Sequence, residues 1–177
     1  FRHVTSFFNG KSTTPSEGED QVEVKSRFDP ATFASHPEMD AYNVTDELLK
    51  RLENNPYGLI VVNYANCDMV GHTGDEAAAT KAVEVTDACI GRILPRLLEL
   101  DAHVLIYADH GNADRMVEPD GSPNTAHTTN LVPLVLVGSD LLLRPHGRLS
   151  DIAPTMLELM HIEPKPAMTG ESLIEKS

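Results

Sequence analysis

Two long stretches of the chain carry apolar residues at helical spacing. The first begins near Ala41 and ends at Asn54-Asn55-Pro56, because a proline cannot continue a helix. The second runs from about Asp75 to Leu100, with a Thr-x-x-Glu capping box at 73–76 and with Pro95 expected to bend it. The apolar positions that define these two predicted helices are Val44, Leu48, Leu49, Leu52, Ala79, Val83, Ile90, Leu94 and Leu97.

Short apolar runs rich in β-branched residues predict the strands. The run 58–64 is apolar on both faces, which is typical of a parallel strand covered by helices on each side. A second buried strand is predicted at 104–107, and a third at 131–137, where Pro133 favours a strand start or an edge. Two weaker strands are predicted at 3–8 and 21–24.

The order of these elements predicts an α/β fold. A further helix is expected over 151–160, with Ser150 as its N-cap, and polar loops or tails are expected at 109–130 and 161–177. Strands that alternate with helices predict a three-layer sandwich with a mostly parallel sheet. No linker interrupts the pattern, so residues 1–177 are interpreted as one domain.

Charge and composition narrow the class of protein. The net charge is −13, from 14 basic and 27 acidic residues, which disfavours nucleic acid or an anionic membrane as a partner. No apolar run approaches the roughly 20 residues of a membrane span. Two cysteines without a CxxC pattern indicate a reducing compartment, so we expect a cytoplasmic protein. The chain begins with Phe1 rather than methionine, which suggests that it was cut from a longer protein.

Carboxylates and imidazoles follow the predicted strands. Asp109 and His110 come directly after 104–107, Asp68 and His72 follow 58–64, and His127 lies in a polar loop. In an open α/β sheet, ligands bind beyond the carboxyl ends of the strands. Oxygen and nitrogen ligands without thiolates favour Mn²⁺, Zn²⁺, Co²⁺ or Fe²⁺ over Ca²⁺. The sequence therefore predicts a metal site with room for two ions.

A structural explanation is available for each of these residues alone, since an isolated loop Asp or His is usually a cap or a solvated side chain. Their occurrence at successive strand ends favours the metal site instead. Asp75 and Asp114 are explained by capping and by solvation, and Cys67 and Cys89 by packing. The remaining candidates receive structural, supporting or surface roles: Thr125, Thr128, Thr129, His3, His36, His103, His146 and His161.

Over nearly its whole length the sequence closely resembles the C-terminal part of the cofactor-independent phosphoglycerate mutase family, which belongs to the alkaline phosphatase superfamily. The matching segments are specific in both their metal motifs and the intervening sequence. They are HVTSFFNG (3–10), GED (18–20), PEMDAYNVTDELL (37–49), LIVVNYANCDMVGHTGD (59–75), ADHGNAD (108–114), PNTAHTTNLVPLVLV (123–137), RLSDIAPTMLELM (148–160) and TGESLI (169–174).

The resemblance implies a metal centre of two divalent ions. One ion is expected to be held by Asp68, His72 and His127, and the second partly by Asp109 and His110. The implied ions are Mn²⁺, with Zn²⁺, Co²⁺ or Mg²⁺ in some members. The implied reaction interconverts 3-phosphoglycerate and 2-phosphoglycerate through a phosphoserine, as a step of glycolysis and gluconeogenesis.

The resemblance also implies that this chain is one portion of a split phosphatase domain with an alkaline-phosphatase-like fold. The serine nucleophile and a further metal-binding aspartate are expected upstream, so no catalytic residue is expected within the chain. An inserted transferase domain, which carries most of the arginines that bind substrate, is expected to be absent as well. We therefore expect an incomplete fold, weak metal binding and negligible mutase activity from these 177 residues alone. The full-length protein is expected to be monomeric, whereas the exposed sheet edge of the fragment would invite self-association.

Two other functions remain open on the sequence. The first is a phosphopentomutase or metal-dependent phosphatase of the same superfamily, which would share the Asp-His pair. The second is a remnant without catalytic activity that binds metal and serves as a scaffold for other proteins. The long match outside the metal motifs favours the mutase.

Overall fold

The computed structural model describes residues 2–54 and 57–176. They form parts of two compact units, one spanning Phe1–Arg96 and His110–Leu131 and the other spanning Leu97–Asp109 and Val132–Ser177. No helix in the described part of the chain is both long and apolar enough to cross a membrane.

Three helices organise the first unit. Helix α1 spans Ala41–Asn54, α2 spans Asn66–Gly71 and α3 spans Glu76–Glu99. The last residues of α3, from Leu97 on, belong to the second unit. Helices α1 and α3 confirm the predictions from apolar spacing, although residues 55 and 56 of the predicted stop signal lie outside the described residues. Helix α3 runs through Pro95, and a bend there stays a prediction.

The cap of α3 differs from the predicted capping box. The backbone N–H of Ala78 donates to Oδ1 of Asp75 at 2.9 Å, so Asp75 caps the helix. The Thr73 hydroxyl instead donates to the carbonyl of Val70 at 2.6 Å. Thr73 was the wrong choice because Gly74 adopts a positive φ of 72°, which turns the chain and makes Asp75 the first residue able to reach the helix N–H groups.

Small apolar side chains on α3 allow the other elements of the first unit to approach closely. Val70 of α2 is fully buried in a cluster with Ala78, Ala79 and Ala82 of α3, which Phe33 and Met116 complete. Cys89 is buried in a second cluster with Ala41 and Val85, as the packing role predicted for it requires. Burying apolar area of this kind is the main favourable term in folding.

The predicted parallel strand at 58–64 is not a strand in the structure. Residues 59–64 have no regular secondary structure, and Leu59 and Val62 are 46% and 37% exposed. The predicted strands at 3–8 and 21–24 are also wrong, because the first segment forms a 3₁₀ turn at Arg2–Val4 followed by turns and the second is irregular. A strand depends on a hydrogen-bonded neighbour, and no described segment pairs with these three.

The second unit contains the sheet. Strand β1 spans Val104–Tyr107 and β2 spans Leu134–Val137, directly after Pro133. They pair antiparallel, with Val104 opposite Val137 and Tyr107 opposite Leu134. The described residues thus differ from the predicted mostly parallel sheet, since their one regular strand pairing is antiparallel. A parallel sheet requires a crossover between adjacent strands, whereas β1 and β2 lie side by side in opposite directions.

The C-terminal segment folds back onto the second unit instead of forming a polar tail. Helix α4 spans Ile152–Leu159 and follows a 3₁₀ turn at Leu149–Asp151, so the predicted N-cap at Ser150 is wrong. The buried carboxylate of Asp151 accepts the backbone N–H of Glu171 at 3.0 Å and that of Arg148 at 2.8 Å. These bonds outweigh burial and hold the pKa of Asp151 below its usual range. Leu173 and Ile174 are consequently buried.

Candidate metal centre

Helix α2 places the first two candidate ligands on one face. Asp68 lies within the helix and His72 is its C-cap, where the His72 N–H donates to the Asp68 carbonyl at 3.1 Å. Residues four apart are neighbours on a helix surface, so the two side chains meet. His72 Nε2 lies 3.2 Å from Asp68 Oδ1. The four-residue spacing of Asp68 and His72 is therefore realised as one helical turn.

The third candidate ligand, His127, lies in a loop that hydrogen bonds hold in place. The Thr128 N–H donates to the carbonyl of Gly111 at 2.8 Å, and the buried Asn124 side chain accepts the N–H of Ala126 at 2.9 Å. Between these two anchors, His127 points Nε2 to within 3.0 Å of Asp68 Oδ1.

The three predicted ligands of the first ion form a compact triangle. The remaining side of the triangle joins Nε2 of His127 to Nε2 of His72 and measures 3.2 Å. Two ligands bound about 2.1 Å from one tetrahedral ion lie about 3.4 Å apart, so the spacing of these atoms fits a single transition-metal ion. All three side chains are partly open to solvent, which leaves the group accessible.

The tautomer of His72 suits metal binding. Its Nδ1 lies 2.7 Å from the carbonyl oxygen of Thr125, and a carbonyl can only accept, so Nδ1 is the donor. In the neutral ring the lone pair then belongs to Nε2, which faces the triangle. Among the described residues, the groups within ion-pair distance of Asp68 are imidazoles, with no Lys or Arg. This donor set fits a cation, which would balance the charge of the carboxylate.

His110 joins the same cluster. Its Nε2 is 4.0 Å from Asp68 Oδ1, and its ring stacks on that of His127 with 3.8 Å between centroids. Ligand atoms of Asp68, His110 and His127 all lie within 4.8 Å of one another. Asp109 is exposed and belongs to the second unit, so its part in a second ion stays a prediction.

The remaining candidates serve as supports. Asp114 accepts the hydroxyl of Thr128 at 2.9 Å and the amide of Asn130, and the pKa of Asp114 is lowered, first by the bond from Asn130. Burial raises the pKa of the Cys67 thiol, whose sulfur lies 3.8 Å from the Thr86 hydroxyl, so Cys67 is a poor nucleophile. Packing and hydrogen bonding therefore account for these groups.

One residue that contacts the site was not identified from the sequence. Asn112 is 5% exposed, and its side-chain amide donates to Asp68 Oδ1 at 2.8 Å and to the Asp68 carbonyl at 3.2 Å. Asparagine is common in polar loops, and nothing in the local sequence separates Asn112 from its neighbours. Gly71 was the available signal, because a glycine inside a helix often marks a close approach.

Known proteins match the chain over nearly its whole length. The sequence model of the metalloenzyme superfamily matches residues 1–164. The chain is 51% identical over 180 residues to the 2,3-bisphosphoglycerate-independent phosphoglycerate mutase of Syntrophotalea carbinolica, covering 100% of this chain and 35% of that protein. It is 52% identical over 178 residues to the enzyme of the same name from Clostridium botulinum, covering 99% and 35%. The chain thus spans about a third of the length of these curated relatives.

A solved structure also matches the fold of the chain. A crystal structure of Leishmania mexicana phosphoglycerate mutase, described as being at low cobalt concentration, superimposes with a TM-score of 0.88 at 28% identity. The match covers 100% of this chain and 36% of that one. The alkaline-phosphatase-like α/β fold predicted for the chain is confirmed by these matches.

Proposed function

Because the chain belongs to the metalloenzyme superfamily, we propose that it forms part of the metal centre of a 2,3-bisphosphoglycerate-independent phosphoglycerate mutase. The complete protein would interconvert 3-phosphoglycerate and 2-phosphoglycerate through a phosphoserine. This activity fits a cytoplasmic protein of glycolysis and gluconeogenesis that acts as a monomer on a small anionic substrate. The observation that carries the proposal is the triangle of Asp68, His72 and His127, within a sequence about half identical to enzymes of that name.

The residues divide between two ions. Asp68, His72 and His127 would hold one, and Asp109 and His110 would contribute to the other. The donor set suits Mn²⁺, with Zn²⁺, Co²⁺ or Mg²⁺ as alternatives. When bound, such ions supply positive charge that stabilises a transferring phosphoryl group.

The hydrogen bonds around the ligands support this assignment. The Thr125 carbonyl fixes the ring of His72, and the anchors on both sides of His127 fix its loop. The net charge of −13 would repel a phosphorylated substrate, so local cations are needed to reverse the field at the site.

Metal content with stoichiometry on the purified 177-residue chain tests the proposal. We expect about one weakly bound ion per chain, since one ligand triangle is complete here. The substitution His127→Ala should abolish this binding, whereas His146→Ala should leave it unchanged because His146 is exposed in the other unit. Equal ion content in wild type and His127→Ala, with both proteins folded by circular dichroism, would refute the assigned ligands.

The identity of the substrate requires the full-length protein. A panel of phosphoglycerates and phosphopentoses, with a general phosphatase substrate included, would separate a phosphoglycerate mutase from other members of the superfamily. We expect turnover with 3-phosphoglycerate and 2-phosphoglycerate only. Preference for a phosphopentose would refute the mutase assignment and leave the metal site intact.

A further inference from the structure

Both hydrogen bonds of the Asn112 side chain go to Asp68. Its Nδ2 donates to the carboxylate oxygen Oδ1 at 2.8 Å and to the backbone carbonyl of the same residue at 3.2 Å. Both partners are acceptors only, so the amide nitrogen must occupy this position. Oδ1 of Asp68 is also the atom around which the three imidazoles gather. Asn112 therefore holds the carboxylate oxygen that all three imidazoles approach.

The other end of the same amide makes no hydrogen bond. Within the part of the chain that the structure describes, Asn112 Oδ1 is the buried side-chain oxygen or nitrogen that lacks a hydrogen-bond partner. Buried polar groups are nearly always satisfied, and an exception has an energetic cost. An amide whose buried carbonyl oxygen makes no hydrogen bond is poorly suited to a purely structural role. Departures of this kind from local bonding rules are concentrated at functional sites.

The neighbouring helix is shaped to admit this amide. A Cβ atom placed on Gly71 of α2 would lie 2.4 Å from Asn112 Oδ1 and 2.8 Å from its Cγ. Gly71 is three residues after Asp68, so the absent side chain opens the helix surface beside the carboxylate. Gly71 and Asn112 thus form one arrangement in which both hydrogen bonds of the Asn112 side chain go to Asp68.

We propose that Asn112 is a positioning residue of the metal centre, which fixes the Asp68 carboxylate in the orientation that binds the ion. This inference rests on the proposed metal site and adds Asn112 to the residues of that site. Asn112 does not contact the ion. It holds Asp68 Oδ1 between the imidazoles before the ion arrives, which lowers the reorganisation that binding requires.

The test compares Co²⁺ binding, by titration and by the visible spectrum of the bound ion, in the 177-residue chain. In Asn112→Ala we expect the dissociation constant to rise about 10–100-fold, the range typical for loss of a partner of a ligand. We also expect the spectrum to change, because it reports the geometry of the ligands. Asn66→Ala is the matched control, since Asn66 is 2% exposed on the same helix and its amide donates to the carbonyls of Pro37 and Glu38. Asn66→Ala should lower the stability of the chain, whereas its Co²⁺ affinity and the spectrum of the bound ion should be those of the wild type.

A double variant separates positioning from packing. In Gly71→Ala with Asn112→Ala, the new methyl group enters the space that the amide leaves, and it should recover part of the thermal stability. It cannot donate a hydrogen bond to Asp68. We therefore expect the weak Co²⁺ affinity and the altered spectrum to persist. Recovery of affinity together with stability would show that Asn112 acts only by packing and would overturn the proposal.

The remaining outcomes are also decisive. Wild-type affinity in Asn112→Ala would overturn the role of Asn112 while leaving the metal site in place. Absence of Co²⁺ binding by the wild-type chain, or its persistence in His127→Ala, would overturn the metal site and the role of Asn112 with it. If Asn112→Ala does not fold, the double variant provides the measurement, because its cavity is partly filled.

Discussion

The Nε2 atoms of His72 and His127 lie 3.2 Å apart, although the two residues are separated by 55 positions in the sequence. With Nδ1 of His72 engaged by the Thr125 carbonyl, the neutral His72 ring presents a lone pair toward His127. Close approach of two imidazole nitrogens and a carboxylate is favourable when a cation is shared among them. The spacing of the pair therefore fits a shared metal ion.

Divalent metal should stabilise the folded chain through this pair. A ligand at about 100 times its dissociation constant adds about 2.7 kcal/mol to the free energy of unfolding. For a chain of this size we expect a rise in Tm on the order of 5–10 °C, measured by differential scanning fluorimetry with and without Mn²⁺ or Zn²⁺. His72→Ala should abolish the rise, and His146→Ala should retain it. An equal rise in both variants would mean that the metal binds elsewhere.

Asp151 should make the second unit sensitive to acid. Its pKa is depressed in the folded state, so its carboxylate contributes stability above its unfolded pKa of about 3.9, and this contribution is lost as the pH falls through the lower folded value. Asp151→Asn replaces one carboxylate oxygen by an NH2 group, so the backbone N–H of either Arg148 or Glu171 loses its acceptor. The substitution should cost about 1–3 kcal/mol at pH 7. Urea unfolding at pH 7 and at pH 3 should show the difference between wild type and variant shrinking in acid. Asp140→Asn, at an exposed site, should have little effect at either pH.

The segment 59–64 should cause the isolated chain to self-associate. Leu59 and Val62 are exposed there, and exposed apolar side chains favour association with another chain. Light scattering should show a mass that rises with concentration, and Val62→Lys should lower it because burying an unpaired charge at a contact is unfavourable. Leu131→Lys, at an exposed loop position outside this segment, should not. A strictly monomeric wild-type chain at high concentration would contradict the prediction.

The 177-residue chain should show negligible mutase activity by itself. The family resemblance assigns the serine nucleophile to a segment outside these residues, so metal binding alone would not complete the reaction. A coupled assay on a preparation free of host mutase tests this, with a full-length mutase added back as positive control. Robust turnover by the chain alone would show that the phosphoryl group has another acceptor within it.

The helices and the side-chain contact between Asp68 and His72 were predictable because their signals are local. Apolar spacing predicted α1 and α3 to within about one residue. Asp68 and His72 share a helix face because they are four residues apart. The prediction of a strand at 58–64 was wrong because an apolar sequence does not by itself form a strand. A strand also needs a hydrogen-bonded partner from another segment. Helix α2 is too short for periodicity to reveal it. Asn112 was missed because its importance depends on a space opened by Gly71, which is distant in sequence.

The separation of the ligands along the chain has a consequence for folding. Asp68 and His127 are 59 positions apart, so an ion that binds both closes a loop of that length. By the chain-entropy relation for cross-links, closing such a loop in the unfolded ensemble corresponds to roughly 4 kcal/mol. A nascent chain therefore gains the site only after the segment carrying His127 has been synthesised and has docked. Metal binding would then follow the docking of these distant segments and stabilise the chains in which they have joined.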